Sequence, residues 1–519
     1  MEKILMTNSN HKSEMLADIV NAFSEYADRP ALIIDDTTYS YAELYEKVVS
    51  ILPLLEGIHD SSIGIVAENT LSTYAAILAV LLSGNTYVVL HPDFPDARNR
   101  AIVTKAGIGV VLYERSVGPW WEPADSVSAV SMASSVDGSR VGQGSDPAGT
   151  ADSLTALVPV KSDAPAYIIF TSGSTGEPKG VPISRANLDA FYHAYRHLGW
   201  QLDCHDRMLQ MFELTFDVSV VSFLYPLTLG ACVCTVPSGG MKYLNVLDVM
   251  ERQQLTFAAI APSVLRLAQP YFPELSLPSL RYLVVTAEAT DVSLIDRFRS
   301  CIPNAEVVNL YGPTEATIYC TSYVLPRSHP KHHNGMAAIG KPFSGMTARV
   351  VDQDGHDVPE GSMGELWMAG PQLMSGYWHD EARTRQCFVT GADGRRYYRT
   401  GDLCMRDADG DLLYCGRQDT QVKIQGFRVE LGEIEFRAKA FFHNARNCVV
   451  LARRDNDGNY ALYLFVEGAA ESDRQPLESY LQDSLPPYMV PRQICFLPVF
   501  PLNSNNKTDK RQLARLIEQ

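Results

Sequence analysis

The sequence predicts an α/β fold with largely parallel sheets, on three observations. Short apolar runs at 63–66, 87–90, 108–112, 167–170 and 283–285 have strand length, and helix-length segments such as 41–55 lie between them. Alternation at that scale is the signature of strands joined by crossover helices. The chain has 519 residues, 46% hydrophobic and 20% charged, enough to bury large cores and divide into several domains. Its charge is also unevenly placed. Residues 420–519 hold 13 Lys plus Arg against 12 Asp plus Glu, a net of +1, so the rest carries −17 of the total −16. A neutral module therefore follows an acidic body.

From the N-terminus, the start Met1-Glu2-Lys3 leads only to a brief apolar run at 4–6 and then to polar residues at 7–14, so the pattern of a signal peptide is missing and a cytoplasmic location is expected. The most apolar stretch, 75–82, stops at Ser83, Gly84 and Asn85. It is far shorter than the roughly 20 residues of a membrane helix and reads as a buried helix. From 116 to 153 the composition shifts to Ser, Gly, Asp and Pro, which predicts a surface excursion or disordered loop and no core element. Ten cysteines are too dilute for a disulfide framework, and Cys232 and Cys234 lie in a strand-like run, ACVCTV, with no second pair at zinc spacing. Reduced, buried thiols are expected. The acidic balance opposes phosphate backbones and anionic bilayers, which excludes nucleic acid and membrane as partners. There is no internal repeat.

Five segments carry chemistry. In 167–180, YIIFTSGSTGEPKG, an apolar strand runs into a loop of Gly, Ser and Thr closed by Lys179. Glycines let backbone N–H groups converge on an anion, hydroxyls add donors and a lysine adds charge, which describes a polyphosphate cradle. Pro178 precedes Lys179, so this is not a Walker loop; the plain alternative is a Ser/Gly linker. In 309–315, NLYGPTE, Tyr311 offers a face for a purine, Thr314 a phosphate donor and Glu315 a hard oxygen ligand for magnesium. Taken alone it is equally a turn. In 397–403, YYRTGDL, Asp402 follows a tight turn and could accept from both ribose hydroxyls, although Thr-Gly-Asp is usually only a turn. The fourth, 416–435, GRQDTQVKIQGFRVELGEIE, has an alternating strand with Val422 and Ile424, then Gly426 and a helix start. The fifth, 501–510, PLNSNNKTDK, is a polar loop around Lys507.

In this order and together, the five resemble the adenylate-forming superfamily, and within it the amino-acid adenylation domains of nonribosomal peptide synthetases and their free-standing relatives, including D-alanine and L-proline carrier-protein ligases. The resemblance covers essentially the whole chain. It implies a large N-terminal domain of parallel and mixed sheets with a small β-barrel-like subdomain, residues 1–418, and a small mobile α+β lid, residues 419–519, turning on a hinge at Asp419. The break in charge falls at that boundary. The implied chemistry has two steps: an amino-acid carboxylate attacks the α-phosphate of ATP to give an aminoacyl-adenylate and pyrophosphate, and a phosphopantetheine thiol then takes the aminoacyl group as a thioester. Both are mainly positioning and charge neutralisation.

Residue by residue, the resemblance assigns Thr171, Ser172, Gly173, Ser174, Thr175, Gly176 and Lys179 to the β- and γ-phosphates and Thr314 to the α-phosphate. Glu315 would ligate Mg2+. Asn309, Tyr311 and Gly312 would frame the adenine, and Asp402, with Arg417 beside it, would hold the ribose. Lys507 would bridge the substrate carboxylate and the α-phosphate, and Gly426 would let the pantetheine arm pass, a side chain there narrowing the tunnel. In 215–220, TFDVSV, Asp217 matches the aspartate that pairs the α-ammonium of an amino acid. A buried carboxylate in an apolar segment implies a cation.

The side-chain pocket would be lined by Val218, Val221, Ala259, Val284, Thr286, Leu310, Ile318 and Tyr319. These residues are uncharged and favour a small or medium neutral amino acid. The sequence departs from the pattern at Arg185, where many relatives have His, at Thr286-Ala287-Glu288 in place of Gly-Gly-Glu, and at Asn505-Asn506-Lys507 in place of Asn-Gly-Lys. The end of the chain twelve residues past Lys507 leads to the expectation of a phosphopantetheinylated carrier protein acting in trans, and such carriers are generally acidic. The competing readings are an acyl- or aryl-CoA ligase or a luciferase-type relative, against which Asp217 argues, and a catalytically silent binding protein, against which the intact Lys507, Glu315, Asp402 and Asp217 argue.

Overall fold

A computed structural model describes residues 13–115, 127–133, 160–173, 177–418, 421–455, 458–501 and 508–517. Ser174, Thr175, Gly176, Asp419, where the hinge was expected, and Lys507 lie outside the described residues.

Two sheets form the body. One has six strands in the order Ser128–Ser131, Val110–Tyr113, Ser62–Val66, Thr86–Leu90, Pro165–Thr171, Lys179–Ser184, all parallel except the last pair, which is an antiparallel hairpin. The other has nine strands. Its inner strands Glu306–Tyr311, Tyr282–Val285, Phe257–Ile260, Arg207–Gln210, Cys232–Thr235 and Pro30–Ile34 run parallel, with antiparallel strands at both edges. Strands buried on both faces need apolar residues at every position, and Ser62–Val66 and Thr86–Leu90 are buried throughout. One core cluster runs through both sheets and the helices on them. It includes Leu71–Leu82, in which every residue from Ser72 onward is buried, as expected of a helix apolar on all sides. No helix among the described residues is long and apolar enough to cross a membrane.

Two expectations need correction. The segment read as one helix over 41–55 is an α-helix only over Tyr41–Ile51 and then tightens to a 3-10 turn, Leu52–Leu55, because Pro53 has no N–H to continue the ladder. Its start is fixed by a capping box between Ser40 and Glu43. The segment read as a surface excursion over 116–153 contains the strand Ser128–Ser131, paired parallel to Val110–Tyr113. It lies at the sheet edge and is only partly buried, where small polar residues are tolerated. All ten cysteines are free, as expected, but Cys204, Cys387, Cys415 and Cys495 are only partly buried.

A five-stranded antiparallel sheet follows, centred on Arg396–Arg406, with Met363–Ala369, Phe388–Thr390 and Leu412–Arg417 on that strand and Thr347–Val351 beyond Met363–Ala369. The C-terminal segment, called the lid below, has its own core from Ile424 to Ile494. It comprises the hairpin Gln421–Ile424/Phe427–Glu430, the helix Leu431–Phe441, and a three-stranded sheet of Cys448–Arg454, Tyr460–Glu467 and Gln493–Leu497 flanked by Arg474–Ser484 and Lys510–Leu516.

Candidate active site

The C-terminal ends of the parallel strands and the lid hairpin converge on one cleft. Thr171 and Lys179 face each other across the hairpin that carries the glycine-rich loop. From there the Lys179 Nζ lies 3.4 Å from Glu315 Oε1 and 3.4 Å from the Tyr377 hydroxyl. Glu315 sits in the short turn Thr314–Ala316 after the strand Glu306–Tyr311 and is fully buried. Arg428 Nη1 donates to both its oxygens at 3.0 and 2.8 Å, and Tyr377 donates at 2.7 Å. Burial works to raise the Glu315 carboxyl, but Arg428 and Lys179 hold it well below the usual carboxylate range. Burial and the Arg428 charge bring Lys179 down to about 8, Glu315 acting in the opposite sense. The buried Glu315 carboxylate is thus neutralised by Arg428 and Lys179. With Thr314 next to it, its hard oxygens fit a divalent ion such as Mg2+ once Arg428 moves away.

At the other end, Asp402 and Arg417 pair across adjacent strands, with Arg417 Nη1 2.8 Å from Asp402 Oδ1. The Tyr311 hydroxyl donates to the other Asp402 oxygen. Asn309, Tyr311, Gly312 and Asp402 line a cavity of about 40 Å³ together with Glu288, Tyr414 and Lys423. It adjoins a cleft of about 660 Å³ bordered by Glu288, Tyr414, Arg417 and Lys423. Gly312 is required there, since an added Cβ would lie 2.3 Å from the Ile318 carbonyl oxygen. The arrangement brings the Tyr311 ring together with an Asp402 carboxylate whose two oxygens accept from Arg417 and Tyr311.

Asp217 stands just before the helix Val218–Thr228, makes no cap hydrogen bond and is 4% exposed. Burial pushes its carboxyl up to about 6, opposed by the Thr314 hydroxyl and Lys423. Val218, Val221, Ala259, Val284, Thr286, Leu310, Ile318 and Tyr319 are all buried. Ala259 and Val284 are register partners on neighbouring strands, and Leu310 follows on the next strand. Thr317 and Ile318 have left-handed backbones, φ 57° and 68°, which turns the chain back beneath Gly312.

Of the three departures from pattern, Asn505-Asn506-Lys507 lies outside the described residues. Arg185 is 3% exposed and donates to the Asn85 carbonyl at 2.9 Å, a bond within the body. Ala287 takes φ 69° where relatives carry glycine, at a cost of about 1–2 kcal/mol.

Gly426 lies against the body at φ +84°, its N–H donating to Glu288 Oε1 at 2.7 Å. A Cβ there would touch Ala261 and Ala287 at 3.7 and 3.8 Å, ordinary contacts. The left-handed backbone is itself a demand for glycine at this position. Beside it opens a cavity of about 260 Å³, lined by Phe216, Tyr243, Val264 and Phe427 among others.

Sequence reasoning missed Lys423, Arg428 and Tyr377. Lys423 stands between Val422 and Ile424 on the first lid strand, and its Nζ lies 5.9 Å from the Tyr311 ring centroid. Tyr377 had no pattern to mark it.

A family model described as AMP-binding enzyme matches residues 20–378. Tyrocidine synthase 3 of Brevibacillus parabrevis is 32% identical over 501 residues, which cover 94% of this chain but 7% of that protein. Zwittermicin A synthase ZmaJ of Bacillus cereus is 31% identical over 506 residues, 94% of this chain and 92% of that protein. The crystal structure of the Vibrio cholerae adenylation domain AlmE in complex with glycyl-adenosine-5'-phosphate superposes with a TM-score of 0.84 at 26% identity, covering 100% of both chains. The chain thus spans less than a tenth of one curated relative and nearly all of another. The family match takes in the glycine-rich loop, Asp217 and Glu315, the three centres around which the cleft is built, and the chain belongs to the AMP-binding enzyme family, adenylate-forming enzymes whose relatives include nonribosomal peptide synthetase adenylation domains.

Proposed function

We propose that this enzyme activates a small or medium neutral amino acid with ATP as its aminoacyl-adenylate and transfers it to the phosphopantetheine thiol of a carrier protein. Asp217 carries the reading. A carboxylate 4% exposed, without a cap bond and beside an apolar wall suits a substrate ammonium, a group that plain fatty and aryl acids lack. The uncharged lining supports a neutral side chain. Phe191 and Tyr195 pack behind Tyr319, ring centroids 6.3 and 6.2 Å away, which keeps that ring in place and favours a small substrate. The glycyl-adenylate held by AlmE is consistent with that size.

In this reading Thr171, Ser172 and Lys179 hold the β- and γ-phosphates, Thr314 the α-phosphate, and Asp402 with Arg417 the ribose. Mg2+, held by Glu315, would supply charge neutralisation of the triphosphate. Lys507 approaches the substrate carboxylate in the first step. The body comprises 1–418 and the lid 419–519, turning at Asp419, so that the hairpin at Gly426 faces the cleft for the second step. The lid position described above, with Gly426 on Glu288 and Arg428 on Glu315, supports assignment of the structure to that second step. The test is amino-acid-dependent pyrophosphate exchange across the proteinogenic set plus D-alanine. One or two neutral substrates should give signal; exchange driven only by fatty or aromatic acids would refute the reading.

A further inference from the structure

The lid meets the polyphosphate end of the body through groups of opposite sign. Arg428, its side chain 13% exposed, occupies both oxygens of Glu315 at 3.0 and 2.8 Å. Glu433, its side chain 1% exposed, accepts from the Gly173 N–H at 3.2 Å and from Arg98 at 2.9 Å, with the Arg98 side chain 5% exposed. Between them the Ser172 hydroxyl donates to the Arg428 carbonyl at 2.7 Å and accepts from the Glu430 N–H at 3.2 Å. A cation therefore lies on the carboxylate assigned to the metal, and an anion lies on the loop assigned to the phosphates. Burying each would cost its hydration without such a partner.

We propose that Arg428 and Glu433 are charge mimics of magnesium pyrophosphate, so that the lid docks for thioester formation only by taking the atoms that the metal and the phosphates must vacate. Arg98, which belongs to none of the five motifs, is then a further phosphate ligand whenever the lid is away. The inference rests on the assignment of Glu315 and the glycine-rich loop given above. It makes both lid residues positioning residues of the second step. Product release and lid arrival become one exchange: while magnesium pyrophosphate stays bound, the lid is held off, and once the lid is down, the reverse reaction has lost its phosphate site.

The test measures binding as well as turnover. Magnesium pyrophosphate is titrated calorimetrically into the full chain and into Glu433→Gln, which keeps size and removes the charge. Removing a competitor tightens apparent affinity by the reciprocal of the fraction of protein already free of it, about three- to tenfold where the docked lid predominates. A damaged loop would weaken binding instead. In the unaltered chain, donor and acceptor dyes on body and lid should report undocking as magnesium pyrophosphate saturates. Tighter binding by Glu433→Gln together with this undocking supports the proposal. Equal affinity in both proteins, or a lid that stays docked at saturation, overturns it alone. Absence of pyrophosphate binding to the unaltered chain overturns it together with the assignment on which it rests.

Discussion

Asp217 illustrates how much one side chain can decide. Its carboxyl, raised to about 6 by burial, is neutral below that pH in the free enzyme and charged above it. Amino-acid affinity should therefore be constant above about pH 6.5 and fall about tenfold per unit below pH 6, because only the charged form pairs an ammonium; a flat profile in equilibrium titrations would contradict the contact. Asp217→Asn should raise the amino-acid KM about 10- to 100-fold, the worth of a charge-assisted hydrogen bond of about 1.5–3 kcal/mol, without comparable loss of ATP affinity. For Glu315 the sign is reversed. Its carboxyl is held down by Arg428 and Lys179, so it stabilises the docked fold above its unfolded value of about 4.5 and loses that contribution as pH falls toward the lower folded value. Glu315→Gln leaves two cations facing each other and should cost about 3–5 kcal/mol, seen as a lower thermal midpoint at pH 7. Asp217, Glu315 and Asp402, all buried, could be singled out in the sequence because each stands in a motif. Tyr377 and Arg98 could not, since their partners lie 62 and 335 residues away.

Among the elements, the strands buried on both faces were the easiest to read, since an apolar run such as 63–66 has no other use in a chain of this composition. The helix beginning at Tyr41 was read one turn too long, since apolar periodicity continues through Leu54 and Leu55 while the missing N–H of Pro53 does not show in it. Ser128–Ser131 escaped because an edge strand needs no apolar run. In the lid hairpin the strand around Val422 and Ile424 was read, whereas its partner Phe427–Glu430 was not. At the hairpin turn, Gly426→Ala should force a left-handed backbone on a residue with a Cβ, at about 1–2 kcal/mol. Thioester formation should then slow about 5- to 30-fold, clearly more than pyrophosphate exchange does. Equal losses in the two half-reactions would show that the turn has no separate role in the second.

For the whole molecule, the division of charge bears on the carrier. An acidic carrier would be repelled by the body, with −17 over residues 1–419, and not by the lid, with +1 over 420–519. Transfer to an acidic carrier should therefore respond to ionic strength while pyrophosphate exchange, which involves no carrier, does not; identical salt profiles for the two would argue against lid docking. Lys507→Ala should reduce adenylation far more than thioester formation from supplied adenylate, as measured in separate half-reaction assays. Fold class and the order of the sites were visible in the sequence, whereas the placement of lid on body was not, because it depends on pairs such as Arg428 with Glu315 and Glu433 with Gly173, 113 and 260 residues apart, each unremarkable alone. Those cross-boundary pairs also bear on recombination. Chimeras cut between body and lid at 418/419 inherit Gly426, Arg428 and Glu433 from one parent and Glu288, Glu315 and Arg98 from the other, so compatible parents are those in which both halves of each pair are present, whatever the overall identity of the two sequences.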